Sequence, residues 1–419
     1  MYVVDQDAFL NAVCLLETNL GHSQLLDALK GIETDLGRQT TFKNGPRVID
    51  LDILMLSDQL VKEHALEIPH PRIAERSFVL KPLCDIDPNL VHPIQKMTMK
   101  QMLQALSEGE LQNLHSVIPL GKDSDNKYIV KNVEERPMIM GILNVTPDSF
   151  SDGGKHLTLE DAVKSAEEML QHGADIIDIG GESTRPGALE VEVREEIRRV
   201  VPVIEKIKQK NPSCVISVDT RKADVAKVAL MAGADIVNDV SGGSFDPNMY
   251  QVVSSYQCPM IIMHSRGTPE TMQGLAQYEK DKVAATVQQE LHGLLNTADS
   301  HIPRWLQIID LGIGFAKSFE HNMSLLNPIT VRNMKCSLGN RTMLVGPSRK
   351  RFIGSLIGQA SDEAKKKELS TEDKDWATAG ACCASIMGGA NIFRVHNVRG
   401  IKHACDVFHS CTSGRRQYR

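Results

Sequence analysis

The chain has 419 residues, 42% of them hydrophobic, with 47 basic against 53 acidic side chains and a formal net charge of −6. That is enough chain for two domains, and the balance leaves no basic surplus of the kind that nucleic-acid binding requires. No apolar run approaches the roughly 18 residues of a membrane span.

The N-terminus, Met-Tyr-Val-Val-Asp-Gln-Asp, has neither the basic start and apolar core of a secretory signal nor the Arg-rich, acid-poor character of an organelle presequence. Nine scattered cysteines, none in a Cys-x-x-Cys pair, read as reduced and mostly buried thiols of an intracellular protein. Cytoplasm and mitochondrion both stay open. In chain order, residues 1–95 form an α+β part. Helices are predicted over Gln6–Leu16 and Ser23–Leu36, the second closed by Gly37. An Asn44–Pro46 turn and a strand-like run, Arg47–Leu56, follow. On that run Asp50 and Asp52 share a face, and such a pair can bridge Mg²⁺ bound to a nucleotide. Taken alone, it reads more readily as an exposed strand edge. Residues 96–136 are a connector carrying one helix, Met99–Glu108, and a charged, solvated stretch, Lys122–Arg136.

From residue 137 to 412 apolar runs alternate with amphipathic stretches. The predicted strands are Met138–Leu143, Ile176–Ile179, Val215–Val218, Ile236–Val237, Met260–Met263, Leu306–Ile309, Met343–Val345 and Ile392–Val395. They are continuously apolar, as strands covered on both faces must be. Helices are predicted between them, among them Leu159–His172, Val191–Lys210, Lys222–Met231 and Leu275–Ala298. Eight such units fit an eightfold (β/α) barrel of the TIM type. A doubly wound open sheet is the rival, but no Gly-x-Gly-x-x-Gly turn opens the first helix. Residues 413–419 read as a frayed tail.

Each strand ends at or beside a polar group: Asn144, Asp178, Asp219, Asn238-Asp239, His264, Asp310, Ser348-Arg349-Lys350, and Arg394 with His396. In a parallel barrel these ends share the face where sites form. Arg185, Lys350, Arg394 and Lys317 put cations near one mouth, which suits a diphosphate. Asn144 offers an oxygen suited to Mg²⁺. Asp219, Asn238 and Asp310 supply acceptors and one amide donor, matching a guanidine-like heterocycle such as a pterin. Each has a plainer reading too. Asn144 could cap its loop, Asp219-Thr220 could cap the helix that follows, and His264 reads more readily as a satisfied structural histidine.

Asn144–Gly154 and Asp178–Gly187 resemble the two signatures of dihydropteroate synthase, and Ser348-Arg-Lys350 and Arg394-Val-His396 match its later motifs. The resemblance covers about residues 137–410. It implies condensation of 6-hydroxymethyl-7,8-dihydropterin diphosphate with p-aminobenzoate, giving 7,8-dihydropteroate and pyrophosphate for folate synthesis. It further implies that Asp219, Asn238, Asp310, Phe315 and Lys350 hold the pterin, with Met263 beside the ring. Asn144, Thr184, Arg394 and His396 would hold the diphosphate, with Mg²⁺ at Asn144. Phe150, Thr184, Arg185, Pro186 and Ser348 would shape the p-aminobenzoate pocket, and Asp148 and Asp152 would act from the first loop beside Lys350, Arg394 and His396. Leu311 and Ala316 depart from the family, which usually has Pro and Gly there. Ala316 places a Cβ beside the pockets.

Gly37-Arg38, Gly45–Leu54, Pro69–Arg72 and Arg76-x-Phe-Val-Leu80 resemble hydroxymethyl-dihydropterin pyrophosphokinase, which is fused to the barrel in many eukaryotes. This implies Mg²⁺ at Asp50 and Asp52, ATP facing Arg47, His70 and Arg76, and pterin facing Asn11 and Phe78. Met1-Tyr-Val-Val-Asp-Gln resembles an interior segment of that family, so the kinase part is expected to be inactive as it stands. The expected partners are the small-molecule substrates and a second copy through the barrel, with neither nucleic acid nor membrane. A pterin-binding methyltransferase barrel and a non-catalytic pterin-binding scaffold are the alternatives. The Ser-Thr-Arg-Pro loop and the Arg394/His396 pair favour diphosphate chemistry.

Overall fold

A computed structural model describes residues 9–38, 48–111, 114–123, 127–146, 158–185, 187–359 and 369–413. The chain divides into two compact units, Met1–Leu114 and His115–Arg419. No described helix is long and apolar enough to cross a membrane.

In the first unit helix His22–Asp35 is followed by a short hairpin of β1 (Val61–Lys62) and β2 (Glu67–Ile68), then by helices Ser77–Ile86, Met99–Gln104 and Glu108–Leu111. Thr98 and Gln101 form a reciprocal capping box that starts the Met99 helix. Ile73, Val79, Leu80, Leu83, Met99 and Met102 make the core. Three expectations fail here. Residues 9–16 form no helix, and 6–8 lie outside the described residues. Residues 48–56 form no strand, because a strand needs a paired neighbour. Instead the Leu51 N–H donates to the Glu33 carboxylate at 2.7 Å, and the Leu54 carbonyl accepts from the His70 N–H at 2.8 Å. The helix from Met99 also breaks after Gln104, and its residues belong to this unit rather than to a connector.

In the second unit β3 (Val117–Lys122) and β4 (Tyr128–Asn132) pair as an antiparallel hairpin. Eight parallel strands then close on themselves: β5 (Met138–Asn144), β6 (Ile176–Gly180), β7 (Val215–Asp219), β8 (Ile236–Asp239), β9 (Met260–Met263), β10 (Gln307–Asp310), β11 (Thr342–Val345) and β12 (Ile392–Val395). β12 pairs with β5 and completes the ring. The eightfold barrel is therefore correct, and strand bounds differ from the expected ones by only one or two residues. Helix Val283–Asp299 starts later than expected.

Alternation along the strands sorts the side chains. Ile139, Ile177, Ile179, Ile216, Val237 and Ile309 pack against the surrounding helices. Met138, Met140, Ile176, Val215, Ile236, Ile261, Ile308, Leu344 and Ile392 fill the lower lumen together with Ile118 and Leu120 of β3. The hairpin thus closes the barrel floor, and the expected solvated stretch after Lys122 is partly a paired strand. Ile129 and Val133 pack against the same cluster. Two or four residues beyond these apolar positions, on the same inward register, stand Asn144, Asp178, Asp219, Asn238, Met263, Asp310 and Arg394. The lumen is apolar below and polar above.

Leu120 is fully buried in the floor. Leu120→Ala should lower the unfolding free energy of the barrel by about 2–5 kcal/mol through cavity formation. Urea unfolding followed by far-UV circular dichroism measures this, and an unchanged midpoint would remove the hairpin from the core.

Candidate active site

The polar upper lumen is organised by Arg394. Its Nε donates to Asp178 Oδ2 and its Nη2 to Asp219 Oδ2, both at 2.6 Å. Asp178 is fully buried and also accepts from Asn238 Nδ2 at 3.2 and 3.3 Å. Burial raises the Asp219 carboxyl pKa, with Arg394 opposing and Asp178 adding to the rise. Asn238 directs its amide nitrogen at Asp178, so one of its two N–H bonds is engaged there. A Cβ at Gly180 would lie 3.5 Å from Asp219 Cβ and 3.8 Å from Asn144 Oδ1. Asn144 and Asp219 thus flank one glycine. Of the Asp219-Thr220 capping alternative only Thr220 takes part: its Oγ1 accepts the Lys222 N–H at 3.2 Å, while Asp246 Oδ2 accepts the Ala223 N–H at 2.8 Å at the start of helix Ala223–Met231.

Opposite lies the loop after β10. Asp310 Oδ1 accepts the Gly312 N–H at 2.8 Å. Burial raises the Asp310 pKa against the pull of Lys350 and Lys317. Lys350 places Nζ 4.5 Å from the centre of the Phe315 ring and bonds the Ile313 carbonyl. Burial lowers its pKa to about 8, with Asp310 opposing and Arg394 reinforcing. Gly312 has φ of +66°, and a Cβ there would sit 1.8 Å from the His264 carbonyl oxygen, so only glycine fits. Ala316, in the same loop, is buried at φ of +47°, where glycine is favoured. Leu311 is fully buried.

Lys317 does not join the mouth cations as expected. Its Nζ donates to the carbonyls of Gly312 and Phe315 at 2.9 and 3.0 Å and to His264 Nδ1 at 2.9 Å. Burial brings its pKa down to about 7. His264 Nε2 lies 2.8 Å from Glu290, which also holds Arg266. His264 is the satisfied structural histidine of the plainer reading. Its pKa falls to about 4, chiefly by burial.

Beside Arg394, Ser348 Oγ lies 2.9 Å from His396 Nδ1 and accepts the His396 N–H at 3.1 Å. Burial and nearby arginines push the imidazole down to about 3, so it meets a ligand neutral. Met263 is buried at the end of β9. In the loop after β6, Thr184 is half-buried and Arg185 exposed. Gly187 N–H donates to Pro269 O at 2.9 Å, tying this loop to the one after β9. Glu182 anchors the loop base through Arg221 and Lys222. Asp148, Phe150, Asp152 and Pro186 lie outside the described residues. Sequence reasoning gave Asp178 no role, although its inward register beyond Ile176 was the available signal.

In the first unit, Asp52 lies 3.6 Å from Arg76 and 4.0 Å from His70, while Asp50 pairs with Arg38 at 2.9 Å. The Arg76 guanidinium lies 5.6 Å from the Phe78 ring centre. Asn11 is exposed, and its side-chain amide donates to the Phe9 carbonyl at 3.3 Å. Arg47 lies outside the described residues.

The mouth of this parallel barrel sets carboxylates and an amide against a lysine, an arginine and a histidine. Residues 140–396 match the family of the Pterin binding enzyme, and residues 1–88 match 7,8-dihydro-6-hydroxymethylpterin-pyrophosphokinase (HPPK). Folic acid synthesis protein fol1 of Pneumocystis carinii is 42% identical over 400 residues, covering 95% of this chain and 52% of that protein. Folate synthesis bifunctional protein, mitochondrial, of Arabidopsis thaliana is 40% identical over 440 residues, covering 100% of this chain and 76% of that protein. The dihydropteroate synthase of Yersinia pestis, solved with a sulfonamide drug complex, is 34% identical with a TM-score of 0.61, covering 68% of this chain and 97% of that one. This chain belongs to the pterin binding enzyme family and joins that barrel to a pyrophosphokinase-type N-terminal part. It spans about half the length of curated relatives such as the Pneumocystis protein. The expectation that the kinase part is inactive has no support in these matches.

Removing Arg394 would strand the Asp178 charge in the lumen. Arg394→Met should cost about 3–5 kcal/mol of stability, and adding Asp178→Asn should restore most of it. Thermal unfolding of the two variants and wild type provides the comparison. Equal loss in both variants would mean that the pair is not what holds Asp178.

Proposed function

We propose that the barrel is a dihydropteroate synthase. The observation that carries this reading is Arg394, held between Asp178 and Asp219 at the mouth with Asp310 and Lys350 opposite. Asp310, Asp219 and the Asn238 oxygen accept from the guanidine-like edge of the pterin, and protonated Lys350 donates to its carbonyl. Arg394 and neutral His396 donate to the diphosphate oxygens. The amine nitrogen of p-aminobenzoate forms a bond to the pterin methylene carbon. The carbon–oxygen bond breaks and pyrophosphate leaves with its electron pair. The nitrogen then sheds its proton to solvent. Arg394 and His396 stabilise the charge that builds on the leaving group, and the amine needs positioning more than it needs a base. Thr184, Arg185 and Ser348, together with Phe150 and Pro186, shape the amine site, and Asp148 and Asp152 act from the first loop.

Mg²⁺ fits this arrangement as an ion carried on the diphosphate, with the Asn144 oxygen as its protein ligand. Among the described residues no group of three or more His, Cys, Asp or Glu could hold a metal. A hard cation of that kind takes few protein oxygens and shares phosphate oxygens. It would neutralise charge on the leaving group. In the first unit, Asp50 and Asp52 supply carboxylates for Mg²⁺ with ATP beside His70, Arg76 and Arg47, and Asn11 and Phe78 toward the pterin. A homodimer through the barrel is part of the reading. Ile329, Trp376, Met387 and Val407 are exposed on its outer helices.

The deciding experiment is pyrophosphate release by the purified chain. Release should require dihydropterin diphosphate, p-aminobenzoate and Mg²⁺ together, and Arg394→Ala should lower kcat/KM by roughly ten- to a thousandfold, about 1.4 kcal/mol per tenfold. Release without the amine, or none at all, removes the synthase reading. Because the Lys350 ammonium is charged only below its pKa of about 8, kcat/KM for the pterin substrate should fall as pH rises above about 8. Lys350→Arg should carry that limb above pH 9, since a guanidinium keeps its proton there. A flat profile to pH 10 in the parent enzyme would remove Lys350 as a charged ligand group.

A further inference from the structure

Arg349 stands between two residues that face the mouth, Ser348 and Lys350, but points away from it. Its φ is +56°, in the left-handed region that a side chain of this size rarely enters. Strain of this kind persists only where the surroundings over-determine the backbone, and here they do. Arg349 Nε and Nη2 donate to the two carboxylate oxygens of Asp375 at 2.6 and 2.8 Å. The Arg349 backbone N–H donates to Thr378 Oγ1 at 3.2 Å. Asp375 and Thr378 are three residues apart on helix Thr371–Met387, so both present to the same side.

The same carboxylate reaches a second strand end. Asp375 Oδ2 accepts from Asn397 Nδ2 at 3.1 Å, and Asn397 Oδ1 caps helix Val398–Thr412 through the Gly400 N–H. Asn397 directly follows His396. One carboxylate, 8% exposed, therefore joins the turn after β11, which carries Ser348 and Lys350, to the turn after β12, which carries His396 directly beyond the strand that holds Arg394. On the lumen side the same two turns meet again through Ser348 and His396.

We infer that Asp375 is a positioning residue for the transfer reaction. By drawing Arg349 outward and fixing its left-handed turn, it aims Lys350 at Phe315 and Ser348 at His396. It touches no substrate. The bidentate geometry is what the role needs, because a planar fork on a carboxylate sets direction as well as distance. Stability alone is a weak reason for such a pair, since well-packed apolar residues serve as well.

The proposal rests on the synthase reading, and its test separates the two. Asp375→Ala and Asp375→Asn are compared with the parent enzyme in steady-state kinetics, thermal unfolding and calorimetric binding of inorganic pyrophosphate. The Arg349 side chain is 31% exposed, so once released it can be hydrated and the fold survives. In Asp375→Ala, KM for dihydropterin diphosphate should rise fivefold or more, kcat should fall, and pyrophosphate should bind at least threefold more weakly. Asp375→Asn, which keeps one acceptor oxygen but replaces the other with an amide NH₂ and so breaks the bidentate fork, should fall between. Arg349→Gln should lose as much as Asp375→Asn, and the double variant no more than either. An unchanged KM and unchanged pyrophosphate affinity in Asp375→Ala overturn the proposal, even if its melting temperature drops. Additive losses in the double variant overturn it as well. A parent enzyme that binds pyrophosphate but releases none from its substrates counts against the synthase reading, while the affinity comparison still decides the role of Asp375.

Discussion

A charged guanidinium inside a closed barrel is tolerable only if its partners are already in place. Arg394 meets that condition by lying between Asp178 and Asp219, carboxylates from two strands on the far side of β5. The attraction to both raises the arginine pKa further, against desolvation, so it is a fixed positive charge. Asn238 completes the arrangement by donating to Asp178. Four strands thus converge on one ionic cluster. Such a cluster gives little net stability over an apolar filling of the same volume. It does give a preorganised and partly exposed cation at the strand ends, and a fixed charge of that kind is what stabilises an anion without reorganisation.

The two levels of the lumen support this cluster differently. Below, apolar side chains from every strand and from the β3–β4 hairpin exclude water and hold the strands in register. Above, the same inward register carries polar groups, and their burial shifts each toward its neutral form: Asp310 upward, Lys350 and Lys317 downward. A low-dielectric wall strengthens every interaction aimed into the mouth. The loop after β10 is held by glycine at 312 and by the inward-turned Lys317. What looks like a spare cation is a staple for the loop that presents Asp310 and Phe315.

The strands of the barrel were legible because burial on both faces leaves an unbroken apolar run. The inward groups were legible because strand ends in a parallel barrel share a face. Asn144, Asp219, Asp310, Lys350 and the Arg394/His396 pair all stand where that logic puts them. The failures have a common cause. Arg47–Leu56 has strand-like composition, but composition cannot supply a paired neighbour. The hairpin after Ser116 looked like solvated connector because its charged residues outnumber the few apolar ones that enter the floor.

Lys317 and Arg349 show the division most clearly. Both are basic residues within a few positions of the mouth, and nothing in the chain around them says which way they turn. Lys317 is drawn inward by two carbonyls and His264, and Arg349 outward by Asp375, a residue on a separate helix. The sequence alone determined the barrel, its polar rim and the family, because hydrophobic periodicity and short motifs are local properties of the chain. Only the tertiary structure decided which charges face a ligand and which pair with one another, because that choice depends on partners brought together from distant positions in a space from which water has been removed.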